Sequence, residues 1–311
     1  MSQLKAQIDK FLTEVASGYQ PQGLIADKIL PTVNSAQMSG KLAKYGTQHL
    51  RLEVSLKGGR GEYRRVETIA RDSTTFVIEG HGLEGLVTKD DYRNVEKPFD
   101  AEKDETMGLK SKLSLEFEKA LADNLTSTSI ITQNQTLSGS DQFSDYANSS
   151  PIEVFAAKRK VVRDACGMAP NFAAMDWSVY NMLRYHPQLL DALGFKYARP
   201  GGLKEDEIAS ALDVDKIYVA KAMYESANEG QSSVLAPVWG KDIVLGVAPD
   251  RAQIMQVSLG YIVRPTGSTP QKVYKYAVNN PPESNAILVE DEYDLLLSNV
   301  SAAYLLKAVI A

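Results

Sequence analysis

The sequence predicts a mixed α+β protein in which strands and helices do not alternate regularly. Residues 50–56 alternate apolar and polar side chains with the period of a strand, whereas residues 101–126 place leucine or phenylalanine at every fourth position from Leu109, as a helix does. The second half of the chain then divides into short elements of both kinds. A doubly wound parallel sheet would instead require strands and helices to alternate throughout.

The N-terminal segment is predicted to form an amphipathic helix over residues 4–15. Its apolar side chains recur at helical spacing on one face: Leu4, Ile8, Phe11, Leu12 and Val15. The helix should end near Gly18, because Pro21 and Gly23 follow. A helix with one apolar stripe needs a surface to cover that stripe, either the core of the chain itself or a neighbouring subunit.

The next segment is predicted to be a β-hairpin with a glycine-rich tip. One face of its first strand carries the apolar side chains Leu50, Leu52, Val54 and Leu56. A turn containing Gly58, Gly59 and Arg60 follows, then a return strand at 63–69 and a third strand at 74–79. The turn lacks the Gly-Lys-Ser/Thr ending of a phosphate-binding loop, so we interpret it as a hairpin tip.

A long helix over residues 101–126 is the clearest prediction. Asp100 is a suitable N-cap, and the acidic first turns suit the helix dipole. Residues 126–150 are predicted to be a long polar loop with a short strand at 129–132. A second helix should begin at Pro151, with Ser150 and Glu153 as a capping box, and end at Gly167.

The remaining elements are predicted to be short. Strands are expected at 171–175, 216–222, 243–247, 284–290 and 302–310, and helices at 177–185 and 204–212.

The residues that usually carry chemistry are scattered, so we predict no enzyme, no cofactor and no metal site. The chain has three histidines and no His-Glu-x-x-His motif. His81 lies between glycines and is interpreted as a turn residue, and His186 as a helix terminus. Cys166 is interpreted as a buried structural thiol. The acidic residues at 290–294 are interpreted as a charged loop beside a strand, although a cation site there is the alternative.

The composition indicates which partners the chain binds and in which cellular compartment it folds. The net charge is −5, from 34 Lys and Arg against 39 Asp and Glu, so a protein that grips DNA by its phosphates is not indicated. The densest basic residues, at 158–163, are interpreted as a solvated helix face. A single cysteine forms no internal disulfide, the N-terminus does not resemble a signal peptide, and no apolar run is long enough for a membrane span. Folding in the cytoplasm is the simplest expectation.

The order of these elements resembles the major capsid proteins of tailed bacteriophages, which have the Hong Kong 97-like fold. Residues 45–67 resemble the family's extended hairpin loop, residues 76–100 its acidic, helix-tending passage, and residues 101–126 its spine helix. Residues 136–145 resemble its Thr-Leu-Ser-Gly stretch, with Phe143 where tryptophan is common. Residues 169–187 resemble a Pro-Asn strand followed by a helix that ends in Leu-x-x-His-Pro.

The resemblance implies five regions. They are an N-terminal arm at 1–40, an extended loop at 41–90, a peripheral domain at 91–164 with the spine helix at 101–126, an axial domain at 165–285, and C-terminal strands at 286–311 that return to the peripheral and axial domains. Contacts between subunits would involve Leu4, Ile8 and Phe11 of the arm, and the apolar face and tip of the extended loop from Leu50 to Arg60.

The resemblance further implies a structural protein that self-assembles through pentamers and hexamers into an icosahedral shell around double-stranded DNA. Assembly would take place in the host bacterial cytoplasm and the product would be part of the virion. A separate scaffolding protein, a portal and a decoration protein would be partners. Cross-linking through Lys57 is a minor possibility that no motif supports.

The alternatives are an encapsulin-type compartment shell of the same fold that encloses protein, an enzyme with an unrecognised site, and a tail or adaptor protein. Protein rather than DNA inside a particle would indicate the encapsulin-type shell. A bound metal or cofactor would indicate the enzyme, and rings or tubes in place of closed shells would indicate the tail or adaptor protein.

Overall fold

The chain begins with a short strand, a helix and a series of strands that lead to one long helix. The computed structural model describes residues 7–19, 21–45, 47–50, 52, 72–94, 100–194, 201–228, 230–253, 256–267, 270–278 and 283–311. The first elements are β1 (Gln7–Ile8), α1 (Lys10–Gly18), α2 (Ala26–Ile29), β2 (Thr32–Ser35), β3 (Ser39–Lys44), a 3₁₀ helix (Thr47–Leu50), β4 (Asp72–Val77), β5 (Glu79–Thr88), α3 (Lys89–Asn94) and α4 (Ala101–Thr126).

The second part of the chain alternates short strands and helices before a long C-terminal strand. Its elements are β6 (Asn134–Thr136), α5 (Pro151–Cys166), β7 (Phe172–Asp176), α6 (Trp177–Leu183), α7 (Pro187–Ala192), α8 (Glu205–Leu212), β8 (Lys216–Ala220), β9 (Met223–Glu225), β10 (Leu235–Pro237), β11 (Ile243–Gly246), β12 (Gly260–Pro265), β13 (Lys272–Val278), β14 (Ser284–Leu297) and β15 (Ala303–Lys307). The predicted mixture of helix and sheet is confirmed.

One sheet supports the long helix. Its strands run in the order β1-β13-β14-β12-β2, and β5 pairs antiparallel with β14 along ten residues. Helices α1 and α4 pack on this sheet through a small apolar cluster made of Leu12, Ala16, Val87, Leu109, Leu113, Val273, Ile287 and Val289. Asp100 caps α4 as predicted, because its carboxylate accepts hydrogen bonds from the backbone N–H groups of Glu102 and Lys103.

The second sheet has the order β6-β15-β11-β7-β8. Strand β11 pairs antiparallel with β7 and β15, whereas β8 and β6 pair parallel at the two edges. All five residues of β7 are buried, as the apolar run predicts for a strand covered on both faces. This sheet lies in the main hydrophobic core, which includes Phe143, Phe155, Leu183 and Trp239.

The predicted N-terminal helix over residues 4–15 is wrong in its boundaries. Strand β1 pairs with β13, with Gln7 opposite Lys275 and Ile8 opposite Tyr274. Helix α1 begins only at Lys10, because the side chain of Asp9 accepts a hydrogen bond from the N–H of Leu12 at 3.0 Å. Strand pairing and this cap together prevent Ile8 and Phe11 from sharing a helical face.

The passage before the long helix is helix-tending, as predicted, only in α3 (Lys89–Asn94); the residues before α3 are extended. Residues 79–88 form β5, and His81, predicted as a turn residue, lies within that strand and stacks on Tyr293 with ring centroids 4.4 Å apart. Gly85 permits α4 to approach, because a Cβ there would overlap the side chain of Glu105. The acidic residues at 290–294 likewise lie on β14 rather than in a loop.

Smaller differences concern caps and strand ends. Helix α5 has Pro151 in its first turn and Gly167 at its C-cap with φ 81°, as predicted, but Ser150 makes no side-chain cap hydrogen bond, so the capping box is wrong. The short strand lies at β6 rather than at 129–132. Strand β8 ends at residue 220, β14 continues to 297, and β15 is confined to residues 303–307.

The polar loop at 126–150 is held firmly against the C-terminal strand. Its few apolar side chains, Ile131, Leu137 and Phe143, are buried. The backbone N–H of Phe143 donates to the carbonyl oxygen of Val309 at 2.7 Å, and that of Leu137 donates to Lys307 at 2.9 Å. The loop thus belongs to the core of the second sheet in spite of its composition.

Candidate assembly surfaces and the buried joint beneath them

The predicted contact residues of the arm are exposed in the single chain. Phe11 is 57% exposed and Ile8 is 53% exposed, while the neighbouring Leu12 is buried. The ammonium group of Lys103 lies 4.9 Å from the centre of the Phe11 ring. Leu4 lies outside the described residues. The arrangement leaves two apolar side chains of the arm uncovered by the rest of the described chain, and their contact with a second subunit stays a prediction.

The predicted apolar face of the extended loop is only partly described. Leu50 lies in the 3₁₀ helix Thr47–Leu50 rather than in a strand, and its side chain rests against Gly167. Leu52 is 98% exposed. Val54, Leu56, Gly58, Gly59 and Arg60 lie outside the described residues, so the hairpin tip remains a prediction.

A second exposed apolar surface, which the sequence analysis missed, lies on helix α6. Trp177, Met182 and Tyr185 are all exposed, although Val179, Tyr180 and Leu183 on the other side of the same short segment are buried. The hydroxyl of Tyr146 donates to the carbonyl oxygen of Met182 at 3.1 Å and extends the surface. Five apolar or aromatic residues among the seven of α6 are the sequence signal, because a helix with one buried face needs only one apolar stripe.

A third exposed surface is the two-stranded hairpin β9–β10, which we call the projecting hairpin. Its strands pair antiparallel from Met223 opposite Pro237 to Glu225 opposite Leu235. Met223, Val234 and Leu235 expose about half of their side chains or more. A two-stranded hairpin buries little by itself, so these three apolar side chains stay largely uncovered by the described chain.

Beneath the projecting hairpin lies a buried carboxylate, Glu118 on α4, which is fully buried. One oxygen, Oε2, accepts the backbone N–H groups of Ile25 at 2.9 Å and Ala26 at 2.7 Å. The other oxygen, Oε1, accepts the indole N–H of Trp239 at 2.6 Å. Burial raises the pKa of Glu118, and the three donated hydrogen bonds oppose that rise.

Two buried or largely buried cations belong to the same part of the molecule: Arg264, which lines a small cavity together with Glu118, and Lys110 on the same helix as Glu118. The guanidinium of Arg264 on β12 forms an ion pair with Asp291 on β14, and both side chains are largely buried. The ammonium of Lys110 on α4 donates to the carbonyl oxygen of Ala16, and burial lowers the pKa of Lys110. These contacts fasten α1, α4 and the sheet to one another. The contacts of these charged side chains bind structural elements together.

His186 and Cys166 both have structural surroundings. His186 lies at a helix terminus, as predicted, but it caps the start of α7, a helix that the sequence analysis did not predict. Its Nδ1 accepts the N–H of Gln188 at 3.3 Å, and its Nε2 lies 3.0 Å from the Ser149 hydroxyl. Burial lowers the pKa of His186. The thiol of Cys166 is buried, as predicted, and burial raises its pKa, which suppresses the reactive thiolate.

A groove of about 950 Å³ separates residues 27–32 from the loop at 248–253. Its charges are mixed, and Lys216 on its wall pairs with Asp250. Among the described residues no group of three or more His, Cys, Asp or Glu side chains is arranged to hold a metal ion. None of the described helices is long and apolar enough to cross a membrane.

Comparison with known proteins identifies relatives over most of the chain. The major capsid protein of Burkholderia phage BcepMu is 26% identical over 269 residues, which cover 84% of both sequences. The major capsid protein of Pseudomonas phage JBD67 is 28% identical over 248 residues, or 77% of each. No family model matches the chain.

Solved structures share the fold along nearly the whole chain. A phage-related protein from Bordetella bronchiseptica is 22% identical, with a TM-score of 0.75 and 98% of both chains covered. The capsid protein of cyanophage P-SCSP1u gives a TM-score of 0.58 at 12% identity over 93% of this chain. A virus-like particle from Pyrococcus furiosus gives 0.54 at 12% identity over 95%. These likenesses establish the fold.

The fold matches that of solved phage capsid structures. The similarity in sequence to two major capsid proteins, and not the fold alone, supports the class of structural capsid protein. Within that class its relatives are phage major capsid proteins, so the resemblance predicted from the sequence is confirmed. Such a protein is a component of the virion.

Proposed function

We propose that this chain builds the phage head by self-assembly through pentamers and hexamers into an icosahedral shell that encloses double-stranded DNA. The observation that carries the proposal is the similarity to two phage major capsid proteins across about four fifths of the chain. The shared fold supports it along almost the full length.

The distribution of exposed apolar side chains supports association on several sides. Phe11, Leu52, Trp177 and Leu235 belong to four separate parts of the chain, and each exposes about half of its surface or more. Exposed apolar patches on a folded chain mark surfaces that bind other proteins. Different patches on one subunit suit head-to-tail contacts, which close into rings.

The charge of the chain suits a container for DNA. A net charge of −5 does not favour tight binding to phosphates over the whole surface. DNA enclosed by such a shell is held by confinement and by local contacts, without recognition of its sequence. The five predicted regions, from the arm at 1–40 to the C-terminal strands at 286–311, are part of this proposal.

The proposed partners are a separate scaffolding protein, a portal and a decoration protein, and assembly takes place in the host bacterial cytoplasm. Detection of a longer precursor that a protease shortens during infection would contradict the separate scaffolding protein. The chain is proposed to act without catalysis and without a cofactor, which fits relatives that are named as structural proteins.

Electron microscopy of the purified chain, with and without a candidate scaffolding protein, tests the proposal. Closed icosahedral particles, or rings of five and six subunits, are the expected result. A monomer or dimer under all conditions would contradict it. Particles from infected or expressing cells that contain protein rather than DNA would support the encapsulin alternative, and open tubes would support a tail protein.

A further inference from the structure

The segment Gly23–Ala26, which we call the linking segment, runs between the long helix and the base of the projecting hairpin. Its polar attachment to the helix is made by the two backbone N–H groups of Ile25 and Ala26, which donate to Oε2 of Glu118. Both residues are buried. The segment is therefore fixed to the middle of α4 by a carboxylate that water does not reach.

The same segment contacts both ends of the projecting hairpin. The backbone N–H of Lys221, two residues before β9, donates to the carbonyl oxygen of Gly23 at 3.0 Å. Trp239, two residues after β10, donates its indole N–H to Oε1 of the same Glu118 at 2.6 Å. Between these two points the N–H of Val238 donates to Ala222 at 3.1 Å and closes the base of the hairpin.

Close packing at Gly23 makes this arrangement specific. Gly23 has φ +87°, a conformation that side chains disfavour, and a Cβ there would lie 3.0 Å from the Cβ of Lys221. Helix α4 adds one further contact to the hairpin, because the Lys119 ammonium lies 5.2 Å from the centre of the Tyr224 ring. Ala222, Val238 and Trp239 at the base of the hairpin pack in the main hydrophobic core. Two of the hydrogen bonds that hold this base depend on the linking segment or on its carboxylate.

We propose that Glu118 couples the linking segment to the projecting hairpin, so that displacement of the segment from α4 loosens the base of the hairpin and changes the apolar surface that Met223, Val234 and Leu235 present. The coupling arises because one carboxylate serves both structures: its two oxygens divide between the segment and Trp239. A movement of the N-terminal arm in one place then alters a contact surface in another. The proposal depends on the fold alone, so it stands or fails independently of shell assembly.

The substitution Glu118→Gln tests the coupling directly, because an amide has only one accepting oxygen. The NH₂ group that replaces the other oxygen faces either Trp239 or the N–H groups of the segment, and one of the two structures loses its acceptor. If the structures were independent, only that one would loosen. Coupling requires that both loosen together.

Hydrogen exchange of the full-length, unassembled chain provides the measurement. In Glu118→Gln we expect exchange about tenfold faster at Ile25 and Ala26 and also at Val238 and the paired amides of β9 and β10, as the loss of a buried hydrogen bond implies. Amides of β7 and β11 serve as the internal reference. Faster exchange on one side alone, or an equal rise in β7 and β11, would overturn the proposal.

Two further variants complete the experiment. Glu116→Gln is the matched control, since Glu116 is an exposed glutamate on the same helix whose ion-pair partner is His81 on β5, and the hairpin should exchange at the original rate. Gly23→Ala disturbs the segment from its other end and leaves Glu118 intact. Faster exchange in the hairpin of Gly23→Ala is expected, but the added Cβ also meets Lys221 at the hairpin base. The deciding outcome is therefore an unchanged hairpin together with a loosened segment, which would overturn the coupling.

Fluorescence gives an independent readout, because the chain has two tryptophans. Trp177 is exposed and Trp239 is buried, so Trp177→Phe leaves Trp239 as the reporter. On that background Gly23→Ala should shift the emission of Trp239 to longer wavelength, although Gly23 does not contact the indole through any described hydrogen bond. Emission that stays unchanged while the exchange at Ile25 and Ala26 rises would contradict the proposal.

Discussion

The two sheets of this protein differ in how completely the chain itself covers them. In the second sheet, β7 and β11 are buried at every position. In the first sheet, Val87 is the one buried residue of the ten in β5, and Leu86, on the face away from α4, is 55% exposed. The central strands of the second sheet are covered on both faces, whereas the first sheet has an open outer face along β5. At its other side an apolar cluster of Phe76, Ile78, Tyr261, Val263 and Leu296 covers β12.

The difference indicates where stability and assembly reside. Burial of apolar surface is the main source of folding free energy, so the second sheet should dominate the stability of the isolated chain. The open face of the first sheet contributes little until another surface covers it. Substitutions in the two regions should therefore separate folding from association.

The largest expected effect is that of Phe143→Ala, which removes a fully buried ring from the core of the second sheet. It should lower the free energy of unfolding by about 3–5 kcal/mol, the usual cost of such a cavity. Leu86→Ala is the matched variant in the first sheet and should change that free energy by less than about 0.5 kcal/mol. Urea unfolding of the unassembled chain measures both, and similar losses would contradict the comparison.

The next effect concerns the ion pair that ties β12 to β14 in the first sheet. Asp291→Asn leaves the guanidinium of Arg264 largely buried without its counter-charge. We expect a loss of about 3 kcal/mol, near the lower end for a broken buried pair because both side chains retain slight exposure. Asp123→Asn, whose partner Lys119 is accessible to solvent, should cost well under 1 kcal/mol. Equal losses in the two variants would show that burial of the pair does not matter.

A smaller effect should appear on acidification through His186. Burial lowers its pKa, so the unfolded chain binds a proton that the folded chain excludes. Stability is then complete above the unfolded pKa of about 6.5 and falls as the pH drops below it, by at most about 1.4 kcal/mol per pH unit. His186→Asn keeps an acceptor for the helix N-terminus but does not titrate. Unfolding at pH 7 and pH 5 should show a smaller acid loss in the variant, and an equal loss would exclude His186 as the cause.

The smallest effect on folding is expected for the projecting hairpin. Leu235→Ser should change the free energy of unfolding by no more than about 0.5 kcal/mol, because Leu235 is 63% exposed. The same variant should reduce the yield of particles or rings in sedimentation, since it removes apolar surface from a proposed contact. Normal assembly of Leu235→Ser would show that the hairpin is not a contact between subunits.

The sequence correctly predicts the elements whose apolar periodicity and capping residues indicate the same structure. Helix α4 is found at the predicted residues, because Asp100 caps it and Leu109, Leu113 and Phe117 repeat on its buried side. Strand β7 is likewise predicted by its apolar run. In these cases local preference and tertiary environment favour the same structure.

Elements that depend on distant partners are missed. Strand β5 contains three glycines and acidic residues, and it forms because β14, about two hundred residues later, pairs along its whole length. The start of α1 depends on β13 in the same way. The buried role of Glu118 has no sequence signal, since a glutamate within a charged helix usually faces solvent. Pairing partners and burial of this kind arise only when the chain is folded.

The position of strand β15 has a consequence for the synthesis of the protein. Residues 303–307 insert between β6 and β11, and the N–H of Phe143 in the earlier polar loop depends on Val309 for its acceptor. The residues that complete the core are therefore synthesised later than all the residues proposed for subunit contact. Nascent chains on neighbouring ribosomes therefore expose those apolar surfaces before the core of the second sheet can form. Timely shielding of the nascent chain should thus govern how much of this protein reaches its folded form when it is made in large amounts.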